Sequence, residues 1–322
     1  MTNINNYSGI DISKLSFDVT IENNGRTITR KYGYDDCGMR EFLNHLPPDA
    51  HCIMESTGTY HCRLAYYLYN NGIKISVVNP LSVKRFSQAL MRRTKTDRAD
   101  SRLLVEYGKQ FSPDLWKPSK EYYLELQQLL KLEENLLKER TATKNQLESL
   151  SHSVVQSSFV KQNLLEKLSY IDLNINNISF EKDKLIKIND SEAYNSLMTI
   201  PGIGKKTAIV LLTLTRGMEN FDSAKQLCSY FGIAPRLYES GTSVKGKTKI
   251  CKMGMGLIRK LLYLCALSAI KYNKQCKDLY YRLLEKGKSK KQGLVAVANK
   301  LLRQAFSIVK NKSVFMENFS QN

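Results

Sequence analysis

Long apolar runs are missing from this sequence: none approaches the roughly 18 to 20 residues that a bilayer span requires, which argues against a membrane protein. The opening MTNINNYSG lacks the basic-then-apolar pattern of a secretory signal, so a cytosolic protein is expected. Seven cysteines, an odd number, occur without a CxxC pair, and the four histidines form no matching ladder. Disulfides and a structural zinc site are therefore not expected. Acids are also scarce, with 30 Asp and Glu against 49 Lys and Arg, a formal net charge of +19. Such an excess attracts polyanions, so nucleic acid is the expected partner.

What is present over 322 residues is enough for two domains and a connecting element. The stretch YSGIDISKLSFDVTIENNGRTITRKYGY alternates apolar and polar residues, and Asn24-Gly25 between two such runs signals a hairpin turn. Three consecutive strands are expected there. CGMREFLNHL then reads as a helix, HCIMES as a strand, YHCRLAYYLYNNG as a helix closed by Gly72, and KISVVNP as a buried strand. Two further helices follow around PLSVKRFSQAL and DRADSRLLVEYGKQ. This order is that of a ribonuclease H-like fold, a mixed sheet flanked by helices, assigned to residues 1–112.

Residues 113–192 read as a helical linker. From Tyr122 to about Leu150 the chain is rich in Leu, Glu, Lys and Gln without glycine or proline, as in a long exposed helix. Beyond it Leu164, Leu168, Ile171, Ile175, Ile178 and Leu185 follow a heptad stripe, with Lys182 at one seam position. A coiled-coil seam of this kind meets either a helix of its own chain or one of a second copy. Residues 193–322 form a mostly helical domain, opening with MTIPGIGKKTA and ending in an apolar helix from Gly256 to Ala269 and an amphipathic helix after the basic turn GKSKKQG.

Four acids stand out. Asp11 lies in the first strand, on the side opposite Ile10 and Ile12. Glu55 ends the strand HCIMES before a glycine-containing turn, and Asp97 and Asp100, three apart at a helix start, share a face while Arg98 points elsewhere. Hard divalent cations such as Mg2+ take oxygen ligands, and clustered carboxylates serve phosphoryl transfer. Lys84, Arg85, Arg92, Arg93 and Lys95 would bring positive charge to such a cleft and favour a phosphate backbone.

In the last domain LMTIPGIGKKTAIVLL has the form of a helix-hairpin-helix element, in which glycine backbone N–H groups approach phosphates and Lys205 and Lys206 add charge. Ser240 lies in the polar loop APRLYESGTSVKGKTK, where Arg236, Lys245, Lys247 and Lys249 are placed to hold a phosphate. No histidine or other evident base accompanies this serine, so composition alone gives it no role.

GIDIS, MESTGTY, VNP followed by VKRF, and KTDRAD, then IPGIG, FGIAP, ESG and KMGMGLIRKLL, occur in the order seen in one group: the chain resembles the DEDD-type insertion-sequence transposases across nearly its whole length. That resemblance implies a Holliday-junction-resolvase-like (RuvC-like) N-terminal domain, a coiled coil and a C-terminal transposase domain. It implies that Asp11, Glu55, Asp97 and Asp100 hold Mg2+ and that Ser240 is the nucleophile. It also implies donor and target DNA selected by a structured noncoding bridge RNA, and a homo-dimer or homo-tetramer with a composite site. Ser101 stands where the family commonly has alanine, and Cys251 where serine is frequent. The alternative is a metal-dependent junction resolvase that uses water, for which Ser240 would be dispensable.

Overall fold

The computed structural model describes residues 6–23, 26–56, 58–91, 96–236, 239–240, 244–245, 249–251 and 254–317. The turn at Asn24-Gly25 and the basic residues Arg92, Arg93, Lys95 and Lys247 lie outside them. The chain divides into two units, Met1–Pro118 and Ser119–Asn322. No helix among the described residues is long and apolar enough to cross a membrane.

The first unit is mixed α/β. Three strands, β1 (Tyr7–Ile12), β2 (Ser16–Asn23) and β3 (Arg26–Gly33), precede α1 (Asp36–His45), β4 (His51–Glu55), α2 (Tyr60–Asn70), β5 (Lys74–Val78), α3 (Pro80–Ala89) and α4 (Asp97–Phe111). The five-stranded sheet has the order β3-β2-β1-β4-β5. β1 to β3 form an antiparallel meander, whereas β4 and β5 run parallel to β1. Alternation drives this arrangement: Ile10, Phe17, Val19 and Met54 point to one face and pack with Phe42, Leu64 and Leu68 of α1 and α2. Tyr7 and Ile53 point to the other and pack with Leu103, Leu104 and Val105 of α4. Beyond α4 the chain stays with the sheet, because the Trp116 N–H donates to the Ile75 carbonyl at 2.7 Å.

The second unit is almost wholly helical. α5 (Glu121–Ser151) and α6 (Ser158–Asn189) form a long hairpin, followed by α7 (Ser191–Met198), α8 (Lys205–Thr215) and α9 (Ala224–Tyr230). Two nested two-residue ladders come next: β6 (Pro235–Arg236) pairs with β9 (Lys249–Ile250), and between them β7 (Glu239–Ser240) pairs with β8 (Val244–Lys245). α10 (Gly256–Tyr272), α11 (Lys274–Glu285) and α12 (Lys290–Lys310) complete the unit. The heptad stripe of α6 faces α5 of the same chain: Ile171, Ile178 and Lys182 are buried, and Arg140 of α5 pairs with Asp172 of α6 at 2.7 Å. At its open end the hairpin joins the helical core through Tyr123, Leu126, Leu130 and Ile186. The stretch 113–192 is thus shared, its first residues lying on the sheet and its helices belonging to the second unit.

α12 is central rather than peripheral, with Leu294, Val297, Leu301, Leu302 and Ala305 all buried in that core. α11 is absent from the sequence-based reading. Asn273 separates it from α10 by ending one helix and capping the next, its side chain accepting from the Cys276 N–H at 3.1 Å.

Candidate active site

The parallel register of β1 on β4 ends with Ile10 opposite Met54, so Asp11 and Glu55 are the next residues along two neighbouring strands. Ile10 and Ile12 turn to the α1–α2 face, which sends Asp11 to the face covered by α4, as its alternation predicts. α4 approaches this face closely because β1 offers a glycine there. A Cβ on Gly9 would stand 2.0 Å from the Ser101 carbonyl oxygen and 2.8 Å from the Val105 nitrogen. The helix supplies a second glycine, Gly108, where a Cβ would lie 2.7 Å from the Tyr7 ring.

A polar ladder along β2 fixes the helix lengthwise. Alternate residues of β2 meet successive parts of α4: Asp18 lies in the field of Asp97 and Arg98, Thr20 Oγ1 is 2.8 Å from Ser101 Oγ, and Glu22 receives the Lys109 ammonium at 2.5 Å. The helix starts where the sequence requires, since Thr96 caps it by accepting from the Ala99 N–H at 3.2 Å. Asp97 and Asp100 therefore occupy the first turn, the end at which a helix favours negative charge.

The electrostatics bring three acids onto Asp11. Burial, followed by the charges of Asp100, Asp97 and Asp18, pushes its carboxyl up to about 6, against a backbone hydrogen bond from Ile12. Asp18 is the residue missed in the sequence. It faces Asp11 in the β1–β2 register, is buried, and is also held above its ordinary value by burial and Asp97, with Lys31 at 3.9 Å and Arg98 opposing. Arg98 thus lowers Asp18 by its charge. Among the described residues no three His, Cys, Asp or Glu side chains stand close enough together to hold a metal ion as placed.

The basic residues divide. Lys84 and Arg85 are exposed on α3. Lys205 and Lys206, at the start of α8, are instead ion-paired, Lys205 with Asp183 and Lys206 with Glu133 at 3.1 Å. Glu133 also takes Lys182 at 2.8 Å; burial would raise its pKa, but hydrogen bonds and charge from Lys182 and Lys206 hold it below its ordinary value. The seam lysine of α6 is the buried partner in this network. Gly202 of the PGIG turn packs inward, where a Cβ would meet Ala269 of α10 at 2.7 Å.

Ser240 belongs to the second unit and ends β7, its backbone opposite Val244 across the inner ladder. Arg236 is opposite Lys249 in the outer ladder, and Lys245 is opposite Glu239 in the inner one. The side chains of these residues lie outside the described part of the structure.

Known proteins resemble this chain end to end. Residues 8–154 match a family described as "Transposase", and residues 194–281 match the "Transposase IS116/IS110/IS902 family". A pilin gene-inverting protein of Moraxella lacunata is 32% identical over 96% of this chain and 97% of its own length, and one from Moraxella bovis is equally similar. A transposase for insertion sequence element IS1328 of Yersinia enterocolitica is 27% identical over 80% of this chain and 82% of its own. A strand-end pair of acids, a helix start bearing two more, and relatives matched over nearly their full length lead to one assignment: the chain belongs to the IS116/IS110/IS902 family of DEDD-type insertion-sequence transposases, enzymes that act on DNA.

Proposed function

We propose that this transposase cuts and rejoins donor and target DNA through a covalent link to Ser240, assisted by Mg2+ at Asp11, Glu55, Asp97 and Asp100. What supports the reading is that Asp11, one residue beyond the register that pairs β1 with Glu55's strand, lies on the face covered by α4 and within the field of Asp97 and Asp100 at that helix's start. The 3-2-1-4-5 strand order with α4 across β1 fits a ribonuclease H-like, RuvC-like domain in residues 1–112. Residues 113–192 then serve as its helical connection and 193–322 as the transposase domain.

The donor set is all oxygen, as Mg2+ prefers, and the excess negative charge around Asp11 favours a cation there. Bound there, the metal would polarise the scissile phosphate. In the protein's own step the Ser240 hydroxyl oxygen forms a bond to phosphorus, the bond from phosphorus to one deoxyribose oxygen breaks, and that oxygen leaves as a hydroxyl with a proton. Attack by the hydroxyl of another strand reverses the step and frees the serine.

Rejoining favours this route over hydrolysis. A protein named for inverting a gene has to reseal what it cuts, and a phosphoserine link conserves the bond energy that water would discard. Target choice by a bridge RNA fits the net charge of +19, which suits two nucleic-acid partners held by their backbones. Self-association as a dimer or tetramer fits the exposed apolar Val154, Val155 and Phe159 at the hairpin's tip.

The test is a denaturing gel with donor-junction DNA, co-purified RNA and Mg2+. A protein–DNA adduct in the wild type that is lost in Ser240→Ala is expected. Cut DNA without adduct in both would make water the nucleophile and the protein a resolvase-like nuclease.

A further inference from the structure

Two basic side chains have so far no role: Arg259 of α10, in KMGMGLIRKLL, and Lys291 of α12, in GKSKKQG. They meet at one cavity of the second unit, of about 380 Å³, within the size range of small-molecule pockets. Ile233, Ile250 and Val295 give it an apolar lining, Tyr263 an aromatic ring, and Arg259 and Lys291 two cations. Arg259 is oriented by the backbone, its Nη1 donating to the Gly254 carbonyl at 2.9 Å and to the Phe231 carbonyl at 3.2 Å.

The cavity sits at the foot of the segment that bears Ser240. That segment leaves its wall after Ile233 through β6 and returns through β9 at Ile250, and the Cys251 N–H closes the base on the Ala234 carbonyl at 3.2 Å. A phosphate backbone alone has no use for an apolar floor and a tyrosine. An unstacked nucleobase does, because its flat face stacks on aromatic and guanidinium planes while its phosphate stays at the cationic rim. We propose that this cavity receives an unstacked base of the DNA strand presented to Ser240. The inference rests on the transposase reading and adds to it a site that grips the strand by a base irrespective of sequence, since every base has a face to stack.

The experiment measures binding of the full chain, by fluorescence anisotropy at fixed salt, to oligo(dT) and to an abasic oligodeoxynucleotide of the same length. Oligo(dT) is expected to bind about tenfold tighter, the contribution of stacked bases. Val295 is half-buried, so Val295→Trp fills the cavity from its margin, and the variant is expected to bind both oligomers with the abasic affinity. Tyr263→Ala gives the same loss of discrimination should the tryptophan variant fail to fold by circular dichroism. Equal binding of the two oligomers by the wild type would overturn the base site while leaving the DNA enzyme standing. Discrimination that survives both substitutions would place the bases elsewhere, and tighter binding of oligo(rU) than oligo(dT) would make RNA the occupant; either overturns the proposal. Binding of neither oligomer would overturn the DNA reading and the cavity with it.

Discussion

The two units treat charge in opposite ways. In the second, Glu133 is buried between Lys182 and Lys206, and Asp183 takes Lys205, so each acid has its cation. In the first, Asp100, Asp97 and Asp18 raise the pKa of Asp11, and among the described residues Lys31 and Arg98 oppose the same effect on Asp18. The compensated cluster ties α5, α6 and α8 together and is architecture. The acidic one holds Asp11 and Asp18 above their ordinary values, a perturbation typical of functional sites. Lysines beside a glycine turn look like a phosphate site in the sequence, and in the fold each of them also takes an acid.

Breaking the compensated cluster has the largest expected effect. Glu133→Ala strands Lys182 in the interior and should cost about 3–5 kcal/mol in denaturant unfolding. Replacing Lys182 by Met together with Glu133 by Leu should recover most of that, and a double variant as unstable as the single would refute the pairing account. Gly9→Val comes next, at about 3 kcal/mol, because its side chain must enter the space of the Ser101 carbonyl. Unchanged stability there would mean that α4 is not seated on β1 as described.

Asp11→Asn tests the acidic side and should move stability the other way. The folded carboxyl titrates near 6 against 3.8 for its ordinary value, so the native state binds its proton more tightly and wild-type stability falls as pH rises across that interval. The variant should equal the wild type below about pH 4 and exceed it by about 1–2 kcal/mol above pH 6.5, with solvent screening allowed for. Urea melts without divalent cations at both pH values decide this, and Mg2+ should then stabilise only the wild type. The same substitution should abolish strand cleavage. Thr96→Ala, which removes the cap of the helix start bearing two of the acids, is the smallest change, at about 1 kcal/mol. Its sharper signature is a raised Mg2+ requirement for cleavage.

Much of the first unit could be read in the sequence because its signals are local. Alternation defines β1 to β3, and the short apolar strands β4 and β5 sit between helices. Asp11 is marked by its place opposite Ile10 and Ile12, and Asp97 and Asp100 by their three-residue spacing at a helix start. Asp18 escaped notice for the same reason that Asp11 did not. Asp18, Thr20 and Glu22 alternate like the wet side of an antiparallel meander, and only the distant α4 turns that side into an interior. The seam of α6 was visible but not its partner, since a heptad stripe is indifferent to which chain supplies the other helix. Pairing of Lys205 and Lys206 was equally hidden, because their acids lie in α5 and α6, far back along the chain. α11 was lost because Asn273 reads as an ordinary polar residue until both neighbouring helices are known.

The bond between Thr20 and Ser101 has a consequence for the site's angular setting. Asp97, Asp100, Ser101 and Lys109 sit on one rigid rod, so the points at which β2 grips the rod also set the direction of its acids. One residue inserted between Asp100 and Ser101 would leave the grip intact and rotate the acids by about 100° about the helix axis, away from Asp11. Deleting one there would swing them as far the other way. The site is in this sense keyed: substitutions tune its strength, whereas a change of helical phase removes it from a protein that still folds.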